Sequence, residues 1–300
     1  MNAIIFPGQG TQFQGMGKTL YDSFSVSRKV FDIMDEVLGY KLSEKCFAGS
    51  DVELKDTALQ QLAILAVSLA GYEAVKDKLA DIKYLSGLSL GEYSCLYAGG
   101  VLSLSDLTIL VRERGEAMQK AALELSSGMV ALIGADINDV KSAGKEFNFY
   151  LSNFNSPQQI VISTFKDNMD KVVEYFSSKN IKAIKLEVSG GFHSPFMEPA
   201  RMRLSDIVGA MNFNDSQIPI ISNYTACAHT DKDDIKHNLV NQLVSPVLWN
   251  DCVLKLAEYG VTSAYEIGPG KVLKGLIRKI NRDINVINVQ TDEDVNSLTV

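Results

Sequence analysis

The chain has 300 residues, 46% hydrophobic and 22% charged, enough for one large domain or a domain carrying a smaller lobe. A net charge of -7 and a pI near 5.1 argue against a global pull toward nucleic acid. Cys46, Cys95, Cys227 and Cys252 are scattered and form no CxxC pair, so they signal neither a zinc site nor a disulfide framework, and reduced thiols are expected.

The N-terminal stretch MNAIIFPGQG has no cationic segment and too short an apolar run for a secretion signal. No stretch reads as the ~20 apolar residues of a membrane span. A soluble, cytoplasmic protein is expected, with no membrane or nucleic-acid partner. Residues 3–6, AIIF, read as a buried strand ending in a Pro-Gly-Gln-Gly turn. A helix is predicted over 17–38, closed by Gly39, and a long apolar helix over 58–80. A strand at 82–86 runs into Gly87-Leu88-Ser89-Leu90-Gly91, then a helix closed by Gly99 and Gly100. Ser103, with Asp106 three residues on, starts another helix. Alternating strands and helices predict an α/β fold with a parallel sheet.

The middle differs. Strand 129–135, helix 136–146, strands 149–156 and 159–164, helix 167–178 and strand 182–188 follow the order βαββαβ, a ferredoxin-like unit. We place it as an insertion at 127–190, leaving 1–126 and 191–300 as the core. The α/β pattern then resumes with a strand at 219–223, helices at 233–244 and 249–259, a strand at 263–268 and a helix at 271–281.

G-x-S-x-G between a strand and a helix is the nucleophile-elbow pattern. Glycines allow the tight turn, and the free N–H groups of a helix start can hold an oxyanion. An ordinary small-residue turn is the bland alternative, and the strand before and helix after favour the elbow. A serine nucleophile needs a base, and the chain offers three histidines. His237 lies on a charged helix and His229 in a polar loop. His193, in SGGFHSPF, sits where the inserted lobe returns to the core, and it is the favoured base. Leu107, Leu110, Val111, Arg114 and Met118 share one helix face, with Arg112, Thr108, Glu116 and Gln119 on the polar side. Arg114 on an apolar face needs an anion: an internal salt-bridge partner, or a substrate carboxylate held by a bidentate clamp.

At this point the chain resembles the malonyl-CoA:acyl-carrier-protein transacylases, the acyltransferases of fatty-acid and polyketide synthesis. FPGQGTQ (6–12), GMGK (15–18), SLGEYS after the elbow, RGEAMQ (114–119), NSPQQIVIS (155–163), GFHSPFM (191–197), SPVLW (245–249) and EIGPGKVLKGL (266–276) carry the resemblance, in order, over nearly the whole chain. It implies an α/β-hydrolase-like core with an inserted ferredoxin-like subdomain, Ser89 as the acylated nucleophile and His193 as its base. It further implies an oxyanion hole from the N–H groups of Gln9 and Leu90, and Arg114 on the malonyl carboxylate. Gln242 would orient the imidazole through its carbonyl, and Asn155 would wall the acyl pocket. Malonyl-CoA and an acyl carrier protein are the implied partners, reacting by a ping-pong mechanism without metal or other cofactor. Phe192, before the histidine, implies malonyl over methylmalonyl.

One departure stands out: Leu88 replaces the histidine usual before the nucleophile. It leaves room for an acyl hydrolase, which Arg114 argues against for neutral acyl chains. A stand-alone acyltransferase serving a polyketide synthase in trans fits the same residues. An acidic carrier needs a basic surface, for which Lys179, Lys182 and Lys185, or Lys271, Lys274, Arg278, Lys279 and Arg282, are candidates.

Overall fold

Short apolar strands and amphipathic helices alternate as the sequence predicts, and the computed structural model describes residues 1–50 and 52–298. In chain order come β1 (Asn2–Phe6), α1 (Lys18–Ser23), α2 (Ser25–Leu38), α3 (Leu42–Ala48), α4 (Thr57–Val75), β2 (Ile82–Gly87), α5 (Leu90–Ala98) and α6 (Leu104–Glu124). Then follow β3 (Ser127–Ile133), α7 (Ile137–Phe147), β4 (Tyr150–Ser156), β5 (Gln159–Phe165), α8 (Met169–Ser178) and β6 (Lys182–Lys185). The chain closes with α9 (Glu198–Ala210), β7 (Ile220–Ile221), β8 (Ala228–His229), α10 (Lys232–Gln242), α11 (Trp249–Glu258), β9 (Ser263–Ile267), α12 (Val272–Ile280), β10 (Asn285–Val289) and α13 (Asp292–Ser297).

The main sheet has the order β10-β9-β1-β2-β7-β8, parallel except where β8 pairs antiparallel with β7. β1, the first strand of the chain, sits inside it and is apolar and buried from Ala3 to Phe6, as a strand covered on both faces must be. α4 is buried almost all round rather than along one stripe, so it is a core helix. The segment Thr57–Lys78 is long and apolar enough to cross a membrane, which the sequence reading missed, and most of it is buried inside the fold.

A second sheet, wholly antiparallel, has the order β4-β5-β3-β6, with α7 and α8 as its helices. That order is the ferredoxin-like one. On its free edge β4 meets the segment before α11: the Phe154 N–H donates to the Val247 carbonyl at 2.9 Å, and the Val247 N–H to the Ser152 carbonyl at 2.8 Å.

Some boundaries move. The helix expected over 17–38 breaks at Phe24, whose extended backbone (φ -124°, ψ 122°) separates α1 from α2. The strand expected over 182–188 ends at Lys185. Thr108, placed on the polar face of α6, is buried, because its hydroxyl bonds back to the Leu104 carbonyl and needs no solvent. α3, α9, β8, β10 and α13 are additional elements.

The main sheet delivers Ser89 at the C-terminal end of β2. Its φ of 54° is a left-handed value that a non-glycine residue rarely adopts. The flanking glycines are demanded by space. A Cβ on Gly87 would lie 2.1 Å from the Gly91 carbonyl carbon, and one on Gly91 would lie 2.0 Å from the Phe6 carbonyl oxygen. The elbow is thus wedged against the end of β1. Gly91→Ala must push β1 and α5 apart, and we expect a loss of about 3 kcal/mol or more of unfolding free energy. Chemical denaturation of the purified variant checks this.

Candidate active site

α5 starts at the elbow, so Ser89 stands at its N-terminus, with its hydroxyl free of the helix. The loop before α9 brings His193 to it, also at a left-handed φ of 54°. Ser89 Oγ lies 2.7 Å from His193 Nε2, and His193 Nδ1 lies 2.8 Å from the main-chain carbonyl of Gln242, at the end of α10. A carbonyl only accepts, so Nδ1 carries the proton and Nε2 is left to accept the serine proton. Burial, and next the charge of Arg114, push the imidazole pKa down to about 4, against the pull of the Gln242 carbonyl. The imidazole is therefore neutral near pH 7. His229 instead faces Thr225 and Asp234, and His237 faces Asn241, both away from Ser89.

Arg114 has no exposed surface. One terminal nitrogen lies 3.2 Å from Ser89 Oγ and 3.2 Å from Gln242 Oε1, and the other bonds to Gln61 Oε1. The guanidinium also stacks on Tyr93, its carbon 4.6 Å from the ring centre. Its Nε has no partner. Among the described residues no carboxylate lies within ion-pair distance, and neighbouring Glu113 pairs with Arg203 and Arg112. Of the two sequence readings of Arg114, the internal salt bridge is therefore absent. A buried guanidinium without an ion-pair partner is chemically suited to meet an anion.

A cavity of about 140 Å³ opens between the two sheets, lined by Gln9, Leu88, Ser89, Asn155, Phe192 and His193. Met129, Val161, Leu186 and Val188 form its apolar wall, and the last two belong to the stretch expected as strand. Asn155 Oδ1 is buried there without a partner. Among the described residues no protein acceptor takes the N–H of Gln9 or Leu90. Leu88 packs against the apolar cluster of β1, α11 and α12, where a polar ring would find little to bond.

Sequence reasoning missed Gln61, Tyr93, Glu92 and Asn223. Gln61 was hidden in a helix read as purely apolar, and the signal was a pair, Gln60-Gln61, in an Ala/Leu run. Asn223 holds the Ser89 N–H at 2.6 Å, and Glu92 is 2% exposed. Away from the cavity, Lys185 pairs with Asp170 and Lys179 bonds to the Tyr175 hydroxyl. Lys271, Lys274, Arg278 and Lys279 of the α12 region are exposed and, among the described residues, make no ion pair.

The acyl transferase domain family matches residues 3–295. The chain belongs to the acyl transferase family. Within that family it is 42% identical to the malonyl CoA-acyl carrier protein transacylase of Bacillus subtilis (strain 168), over 98% of this chain and 94% of that one. The structure of the acyl-carrier-protein-S-malonyltransferase from Bartonella henselae superposes with a TM-score of 0.95 at 37% identity, covering 99% of this chain and 97% of the other. A malonyl-transacylase in complex with its type II PKS acyl-carrier protein superposes with a TM-score of 0.95 at 33% identity, over 99% and 98%.

For this acyl transferase the depressed histidine has a measurable sign. His193 stays neutral as pH falls through the ordinary 6.5 and charges only near about 4. Its neutral form is favoured by the fold, so the associated stability is full above pH 6.5 and is lost as pH falls toward about 4. If His193 serves as the base, single-turnover acylation of the protein is expected to hold level through pH 6.5 and drop near pH 4, as read by intact mass after quenching.

Proposed function

We propose that this protein transfers a malonyl group from malonyl-CoA to the phosphopantetheine thiol of an acyl carrier protein, through a malonyl ester on Ser89. The observation that carries the reading is Arg114, a buried guanidinium with no carboxylate partner, one nitrogen 3.2 Å from the nucleophile oxygen. A neutral acyl chain leaves that charge unsatisfied, and the free carboxylate of malonyl satisfies it.

The steps follow from the dyad. Ser89 Oγ attacks the thioester carbonyl as its proton passes to His193 Nε2. The N–H groups of Gln9 and Leu90 hold the oxyanion, each worth about 3 kcal/mol. The C–S bond breaks, and the CoA sulfur leaves with the proton from His193. The carrier thiol then gives its proton to His193 and attacks the ester, and the C–O bond breaks as Ser89 Oγ takes that proton back from His193. Gln242 keeps the imidazole turned through its main-chain carbonyl, and Asn155 lies along the acyl group. Phe192, 4% exposed, fills the space that a branch methyl needs.

The same reading takes residues 1–126 and 191–300 as one catalytic core and 127–190 as an inserted lobe. It assigns carrier docking to the unpaired cations of the α12 region, since an acidic protein needs a local basic face for an acidic partner. Turnover in the cytoplasm, without membrane, nucleic acid or cofactor, completes it.

Incubation with malonyl-CoA alone, followed by intact mass, is expected to show a malonyl adduct that Ser89→Ala abolishes. Arg114→Ala is expected to lose the malonyl adduct and gain an acetyl adduct from acetyl-CoA. No adduct with free malonate accumulating would instead make the protein a hydrolase. Phe192→Ser is expected to raise the preference for methylmalonyl-CoA over malonyl-CoA by about 10- to 100-fold. Competition between the two thioesters measures it.

A further inference from the structure

Ser89-Leu90-Gly91-Glu92 has the S-x-x-E spelling of a helix capping box, a serine at the cap and a glutamate three residues on. Neither half of the box forms at α5. The serine hydroxyl accepts no N–H from the first turn and faces His193 instead. The Ser89 N–H, which the glutamate of a box would take, donates to Asn223 Oδ1. Glu92 turns the other way. Its Oε2 accepts the Asn223 N–H at 2.9 Å and Gln242 Nε2 at 2.7 Å.

Three segments therefore meet on one buried carboxylate: the start of α5, the chain just after β7, and the end of α10. Each holds part of the dyad. The Asn223 side chain straddles the elbow, with Oδ1 on the Ser89 N–H and Nδ2 donating to the Gly87 carbonyl at 2.8 Å. Gln242 presents its main-chain carbonyl to His193, while its Nε2 also donates to the Ser89 carbonyl at 3.1 Å. The side-chain oxygen of Gln242 faces Arg114, so the amide stands between guanidinium and carboxylate. Glu92 is absent from the cavity lining and touches neither the serine oxygen nor the imidazole.

We propose that Glu92 is a positioning residue that, through Asn223 and Gln242, holds the strained nucleophile and the carbonyl behind the base in one fixed arrangement. Asn223 takes the Ser89 N–H in place of the glutamate of a capping box, which leaves Glu92 to bridge Asn223 and Gln242. The inference rests on the reading that Ser89 is the acylated residue.

The test is single-turnover acylation of the full chain at varied malonyl-CoA, in the parent, Glu92→Ala, Glu92→Gln and Asn223→Ala. Glu92→Ala and Asn223→Ala are expected to slow maximal acylation by about 100-fold, with half-saturation within about threefold of the parent. Glu92→Gln is expected to recover the rate to within about tenfold of the parent, because one amide oxygen can accept both hydrogen bonds. A merely structural role predicts no such recovery and no separation of rate from affinity. Parent-like acylation in Glu92→Ala, a change confined to half-saturation, or a Glu92→Gln as slow as Glu92→Ala would overturn the proposal. If Glu92→Ala fails to fold by circular dichroism, Asn223→Ala decides on the same criteria. A parent that takes up no malonyl overturns the malonyl-serine reading itself. A parent adduct with unaffected variants overturns only the role of Glu92.

Discussion

A guanidinium sealed from water, with no carboxylate at ion-pair distance among the described residues, is the constraint around which this site is arranged. Desolvating such a charge is costly, and neutral acceptors and one aromatic face repay it only in part. The arrangement explains why α4 carries glutamine in an apolar run, why α5 places Tyr93 under the cation, and why the Gln242 side chain spans from Arg114 to Glu92. The same charge helps keep His193 unprotonated, so on the proposed reading one group both meets the substrate carboxylate and keeps the base ready.

Glu92 complements it. Burial raises its pKa to about 7, with Arg114 and hydrogen bonds from Asn223, Gln242 and Ser222 pulling the other way. An acid so enclosed persists because its acceptor atoms are all in use. Its hydrogen bonds tie the segments around the elbow to one another.

The two-sheet plan was legible because helix and strand periods differ and because the βαββαβ order interrupts an otherwise parallel pattern. Ser89 and His193 were legible for local reasons: a glycine-flanked serine at a strand end, and one histidine in a constrained loop. Arg114 stood out as a charge on an apolar face. Asn223 and Glu92 were not legible in this way. Glu92 sits in a sequence that spells an ordinary helix cap, and only the fold shows that the cap is diverted. Asn223 is one polar residue in a short loop, and its meaning comes from lying across the sheet from the elbow. The break at Phe24 escaped periodicity, since the apolar spacing continues through it while the backbone does not.

The pairing of β4 with Val247 joins the two sheets beside the cavity by two main-chain hydrogen bonds. Val247 follows closely on Gln242, the residue behind the imidazole. The antiparallel sheet and the base are thus attached to the same short lever of chain. On the proposed reading, the wall of the acyl cleft and the alignment of the proton acceptor therefore share one short stretch of backbone.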